Sequence, residues 1–296
     1  MKYDKGHLSF EAQADLLIQR GLIANKTLLI SRLENINYYR LSGYLYPYRQ
    51  PDDTFKPGTT LDRVWRHYTF DRRFRLSVMD AVERVEVSVR TRLIYELSAI
   101  SGAFGYAEHA AVPNLNLADY TRWLEDINKE ISRSKETFVK HFKDKYGDTH
   151  HFLPLWMAGE IMPFGGTMTM YRGVSGDVKK RIALYYGVSD EVLTSWLHTI
   201  NVVRNICAHH GRLWNRELGV KPLIPRKQKY PQWHDPVVIP QNRIFGVLTI
   251  LRYFLKIAAP QSKWENRLLA LLEEYPEISR WSMGVPDNWR ESPLWK

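Results

Sequence analysis

The stretch VVRNICAHHGRLWNR, residues 202–216, gathers Arg204, Asn205, His209, His210, Arg212 and Arg216 into one short segment. An imidazole takes or gives a proton near neutral pH. A guanidinium stays charged and holds a phosphate through paired donors. Arg with His and no metal suits cleavage of RNA by its own 2′-hydroxyl, the group that DNA lacks. No cluster of carboxylates and histidines suggests a metal, and no cofactor is expected. A full acid–base cycle needs two proton carriers. Two copies of this segment facing each other in a dimer would supply both.

The Arg-x4-His spacing alone is weak. With 25 Arg and 10 His in 296 residues, roughly one such pair arises by chance. Context strengthens it: an Asn beside the Arg, a helix end, and two further arginines downstream.

The element that must position these groups is a helix over 189–210, with Ser189 as cap and Gly211 as stop. On a wheel, Leu193, Trp196, Ile200, Val203 and Cys207 form one apolar stripe. Cys207, the chain's one cysteine, reads as a small buried hydrophobe. His198, Val202, Asn205 and His209 share a different, outward face. His210 lies about 100° further round and is a weaker second proton carrier.

A second element carries a buried charge. Residues 61–99 read as one long helix or two in tandem, with Met79, Val82, Val85, Val89, Leu93 and Leu97 as its core face. Glu86 falls inside that stripe, where a lone carboxylate would be costly. Arg90 and Glu83 border it. One reading is an ordinary local ion pair. The other is that Glu86 or Glu83 braces Arg204 or Arg90 in a shared polar pocket.

The rest of the chain reads as helices over 10–20, 26–36, 117–132, 136–146, 154–162, 167–173, 177–186, 241–258 and 263–274. Residues 38–60 read as an aromatic connector rich in turn residues. No alternating strand pattern is long enough to count. The fold class is therefore all-α: an N-terminal helical lobe (1–60), a helical bundle (61–275) and a C-terminal tail (276–296).

A net charge of +10 favours a polyanionic partner. Two basic segments could track phosphates: Lys135, Lys140, Lys143 and Lys145, and Arg226, Lys227 and Lys229. Each could equally be a solvated face. One cysteine excludes an intrachain disulfide. The opening MKYDKGHLSF is too polar for a signal peptide. The most apolar run, near 244–255, is interrupted by Arg252 and too short to span a bilayer. A cytoplasmic protein with no membrane role is expected.

RNICAH matches the R-N-x3-H form of the HEPN ribonuclease motif. FEAQADLLIQRGL, LENINYYRLSGYLYPYR, VERVEVSVRTRL, PLWMAGEIMPFGG and RNICAHHGRLWNR, in that order, resemble the bacterial abortive-infection proteins of the AbiD/AbiF (Abi-like) type. The resemblance covers roughly 8–260. It implies a HEPN-like helical bundle, a phage-defence or toxin role, and metal-independent RNA cleavage by a homodimer with a composite site. It implies that Arg204 binds phosphate, His209 carries the proton and Asn205 orients it, with His210, Arg212, Glu86 and Arg90 in support. It also implies a small non-coding RNA as a restraining partner. Two other readings stay open: a non-catalytic RNA-binding protein in a ribonucleoprotein, and an interaction protein that uses the exposed helix to dimerise.

Overall fold

The computed structural model describes residues 6–296. Half of the MKYDKGHLSF stretch, and with it much of the signal-peptide expectation, lies outside the described residues. Twelve α-helices and no strand occur among the described residues, so the chain is an all-α bundle.

The N-terminal lobe is α1 (Phe10–Gln19), α2 (Lys26–Ile36) and α3 (Tyr38–Leu45). Ser9 and Asn25 cap the first two by accepting from Ala12 and Leu28 backbone N–H groups. Helix α3 lies where the sequence suggested a connector. Its turn-rich composition is overridden by packing: Leu41, Tyr44 and Leu45 form one buried face, and α3 rests on the next helix.

That next helix, α4 (Leu61–Ser101), is one unbroken element of 41 residues, about 60 Å long. Thr60 accepts from the Arg63 N–H at its start, and Gly102, at φ 72°, ends it. Its buried face runs from Val64 through Phe70, Phe74, Val78, Val82, Val85 and Val89 to Leu97. Helices α5 (Leu117–Arg133), α6 (Thr137–Tyr146), α7 (Leu155–Ile161), α8 (Phe164–Gly173) and α9 (Gly176–Tyr185) follow. Pro154 and Pro163 sit just before α7 and α8 rather than within them. Helix α8 starts three residues earlier than the PFGG breaker suggested. Gly166 lies within α8, and Trp123 Nε1 of α5 donates to its carbonyl at 3.0 Å. A Cβ there would meet Met162 Cγ at 2.8 Å.

Helix α10 (Asp190–Ala208) begins at Ser189, whose hydroxyl accepts from Val192 N–H. Its stripe Leu193, Trp196, Ile200, Val203 and Cys207 is buried, packed on α4, α8, α9 and α11 (Ile244–Ala258). A long crossing segment joins α10 to α11 and buries Trp233 against Trp196, with ring centroids 5.0 Å apart. Helix α12 (Trp264–Glu274) returns along α4. The tail 276–296 is packed too: Trp295 Nε1 donates to Thr249 Oγ1 at 2.9 Å, and the buried Arg252 reaches the Leu294 carbonyl and Glu265. No helix among the described residues is long and apolar enough to cross a membrane.

Candidate functional site

The site is built from the way α10 stops. The expected stop was Gly211, but the helix ends at Ala208 and His209 is its cap. Gly211 N–H bonds to the Ile206 carbonyl at 2.7 Å, and His210 N–H to the Cys207 carbonyl at 3.0 Å. This is a Schellman ending, in which the left-handed position normally falls to glycine. Here His210 occupies it, at φ 58°. Holding a Cβ residue there costs about 1–2 kcal/mol. The strain has a consequence for geometry. His210 leaves the helix path, so the two histidines line one cleft rather than diverging.

That cleft, about 500 Å³, lies between the end of α10 and α3; its walls include Tyr39, Arg40, His209, His210 and Arg212. His209 and His210 are exposed within it. Helix α3 clasps the segment from the other side. Arg40 donates to the His210 carbonyl at 2.8 Å, and Arg212 donates to the Gly43 carbonyl. Burial works against the Arg212 charge, and Tyr44 and Asp71 favour it.

Beneath the cleft a buried carboxylate pins the segment. Asp71, on α4, is fully buried and accepts from Leu213 N–H at 3.1 Å, Trp214 N–H at 2.9 Å and Tyr44 hydroxyl at 2.7 Å. Arg75, one turn on, pairs with it. Burial pushes the Asp71 carboxyl upward, against the pull of Tyr44, Arg75 and the two N–H groups. Every partner points a proton at it, so the ionised form is the one this geometry serves. The Tyr44 hydroxyl is pushed up by burial and by the Asp71 charge. Asp71, Arg75, Tyr44 and Arg40 were not singled out from the sequence. A signal existed for two of them: Asp71 and Arg75 sit four apart inside the apolar stripe of α4, the same anomaly that marked Glu86.

Arg204 and Asn205 touch: Nη1 of Arg204 donates to Asn205 Oδ1 at 3.3 Å. Arg204 lies five residues from His209, about 140° round the helix, and does not line the His209 cleft. It turns toward α4, where Arg90 Nη2 and Glu86 Oε1 are 2.9 Å apart. Arg90 also donates to the Met162 carbonyl at 3.2 Å. Burial pushes Glu86 upward, and the charges of Arg90 and then Arg204 oppose it. The Arg204 Nε is buried without a hydrogen-bond partner. Cys207 is buried, its thiol pushed up to about 12 by desolvation.

The arginines divide into two groups. Arg66, Arg73, Arg75, Arg84, Arg90, Arg133, Arg181, Arg252 and Arg267 each pair with a carboxylate. No ion pair among the described residues includes Arg40, Arg72, Arg204, Arg212 or Arg216, which surround the end of α10 or lie along α4 beside it; Arg32, Arg63, Arg92, Arg172, Arg226, Arg243 and Arg280, elsewhere in the chain, also lack one. Guanidinium groups without a paired carboxylate have the chemistry to hold an anion.

The basic segments stand apart from the cleft and are partly engaged within the fold. Lys143 donates to the Ile131 carbonyl at 2.8 Å. Lys227 pairs with Asp235 at 2.9 Å. Lys145 and Lys229 lie 5.2 and 5.4 Å from the ring centres of Tyr146 and Tyr230. Lys135 borders a surface hollow with Arg133 and Glu160. Lys140 and Arg226 are exposed. Among the described residues, no group of three or more His, Cys, Asp or Glu could hold a metal ion.

Residues 31–215, which run from α2 through the motif segment, match the model of the Abi-like protein family. No curated protein and no solved structure matches the chain.

Proposed function

The chain belongs to the Abi-like protein family, whose name points to abortive infection, and on that premise we propose that it is a metal-independent endoribonuclease toxin of phage defence, of HEPN type, acting in the cytoplasm as a homodimer. The observation that carries this reading is the end of α10: an exposed imidazole at His209 beside arginines with no carboxylate partner.

The chemistry follows from the groups. His209 takes the proton of an RNA 2′-hydroxyl, whose oxygen then attacks the neighbouring phosphorus. The bond from phosphorus to the 5′-oxygen breaks, and that oxygen takes a proton from a second imidazole. The products are a 2′,3′-cyclic phosphate and a 5′-hydroxyl end. Arg204 neutralises the charge on the phosphoryl oxygens; the Asn205 side chain, expected to orient His209, instead accepts from Arg204 and orients that group. Arg204 and His209 of one chain face different ways, so two chains with facing α10 helices supply a complete set. The Glu86 carboxylate, paired with Arg90, attracts Arg204 through space; His210 and Arg212 shape the cleft.

The test is RNA cleavage in excess EDTA by wild type, Arg204→Ala and His209→Ala, with circular dichroism as a fold control. Each substitution is expected to slow cleavage by about 10²–10⁴-fold. Excess His209→Ala mixed with wild type should depress the activity if each site draws one imidazole from each chain. Wild-type rates in both variants would end the proposal. The same arginines also suit a ribonucleoprotein that holds a small RNA without cutting it. Intact co-purified RNA of one length would favour that reading; ragged fragments favour cleavage.

A further inference from the structure

The His209 cleft does not stop at His210. A second cleft of about 550 Å³ opens on the other side, between α1, α2 and α4, and the two share Asn37, Arg40 and His210 as a common edge. Together they form one groove. It runs from His209, over Arg40, to Arg72 on α4.

Three features define what this groove accepts. Its walls carry Arg40, Arg72 and Arg212, none with a carboxylate partner, against one acidic side chain, Glu34. The remaining arginine, Arg75, is neutralised by Asp71. A flat aromatic face is presented at the lip: Tyr39 is 76% exposed although it lies in a helix of the folded lobe. Its ring is braced edge-on by Tyr38, with centroids 6.2 Å apart. Tyr68 lines the far cleft. Cations tracking a concave path, with an exposed ring beside them, are the elements that hold an unpaired strand: the phosphates meet the cations and a base stacks on the ring. A duplex cannot use the ring, because its bases are already stacked and paired.

We propose that this groove carries single-stranded RNA away from the scissile position at His209, with phosphates on Arg40 and Arg72 and a base stacked on Tyr39. The proposal rests on His209 as the cleavage site. It makes the N-terminal lobe a substrate-holding element and makes unpaired strand the substrate class.

The probe is a fluorescent 2′-O-methyl RNA oligonucleotide, which cannot be cleaved by its own 2′-oxygen, titrated with the full chain by anisotropy over a salt series. Tyr39→Ala is expected to weaken binding about five- to 150-fold, with Tyr39→Phe close to wild type. Arg72→Ala is expected to reduce the slope of log affinity against log salt by about 0.7. Neither side chain has a structural partner whose loss should unfold the lobe, and circular dichroism checks this. Wild-type affinity and slope in both variants would overturn the groove. So would equal competition by a hairpin of the same sequence, or displacement of the strand by polyglutamate at matched charge. Unchanged binding in Tyr39→Ala with lost cleavage in His209→Ala removes the groove alone. Tyr39-dependent binding with undiminished cleavage in His209→Ala removes the assignment of that histidine alone.

Discussion

Asp71→Ala tests whether one buried carboxylate positions the motif segment. The side chain accepts hydrogen bonds from Tyr44, Leu213 N–H and Trp214 N–H and pairs with Arg75. Removing it leaves Arg75, itself buried, as an uncompensated charge, a change that costs about 3–5 kcal/mol. Each orphaned N–H adds about 1–3 kcal/mol if no water replaces the carboxylate. These costs overlap, because water entering the space serves several donors at once, so about 4–6 kcal/mol is the expected loss. That is a large part of the roughly 5–15 kcal/mol that holds a typical domain together. The assay is urea unfolding followed by circular dichroism. Asp71→Leu combined with Arg75→Met is the control: both charges vanish, the two backbone donors and the Tyr44 hydroxyl stay unsatisfied, and about 1–3 kcal/mol should be lost where one water serves them together. RNA cleavage should fall in both, because the 209–214 segment loses its anchor while Arg204 and His209 are untouched. A loss below about 1 kcal/mol for Asp71→Ala, or a double variant no more stable than the single one, would refute the reasoning.

Two further substitutions probe the same region. His210→Gly should raise stability by about 1 kcal/mol in urea, since glycine takes the left-handed position without a Cβ clash; no gain would mean that the φ of 58° carries no strain. Loss of cleavage in that better-folded variant would assign the imidazole itself to chemistry. His67 is buried, with Nδ1 2.8 Å from the Arg63 carbonyl and Nε2 3.3 Å from the Tyr48 hydroxyl, an arrangement that suits the neutral ring. Desolvation holds its pKa below the usual 6.5. The unfolded chain therefore binds more protons in that window, and stability should fall as pH drops from about 6.5. His67→Gln should flatten that part of the curve, as read by unfolding midpoints between pH 7 and 5.

The sequence made the helices legible because their signals are local. Ser9, Asn25, Thr60 and Ser189 cap the helices that follow them, and the stripe ending at Cys207 is the buried face of α10. Helix α3 was obscured because its reason for being helical is not local: Tyr44 must reach Asp71, 27 residues on. The end of α10 was obscured for a related reason. Gly211 follows the two histidines and draws the stop signal to itself, yet the left-handed residue is His210, held by the Arg40 contact to its carbonyl from a different helix. The charge pattern is the least local of all. A list of arginines cannot separate Arg73, tied to Glu274 about 200 positions away, from Arg72, its neighbour, which has no carboxylate partner. Net charge alone points at the lysine-rich segments, whereas folding pairs one of those lysines, Lys227, with a carboxylate and leaves guanidinium groups without one near His209. Folding therefore does more than position an imidazole and an arginine. It decides which of the many cations remain available to an incoming phosphate, and some of those that remain lie where the proposed RNA chemistry would need them.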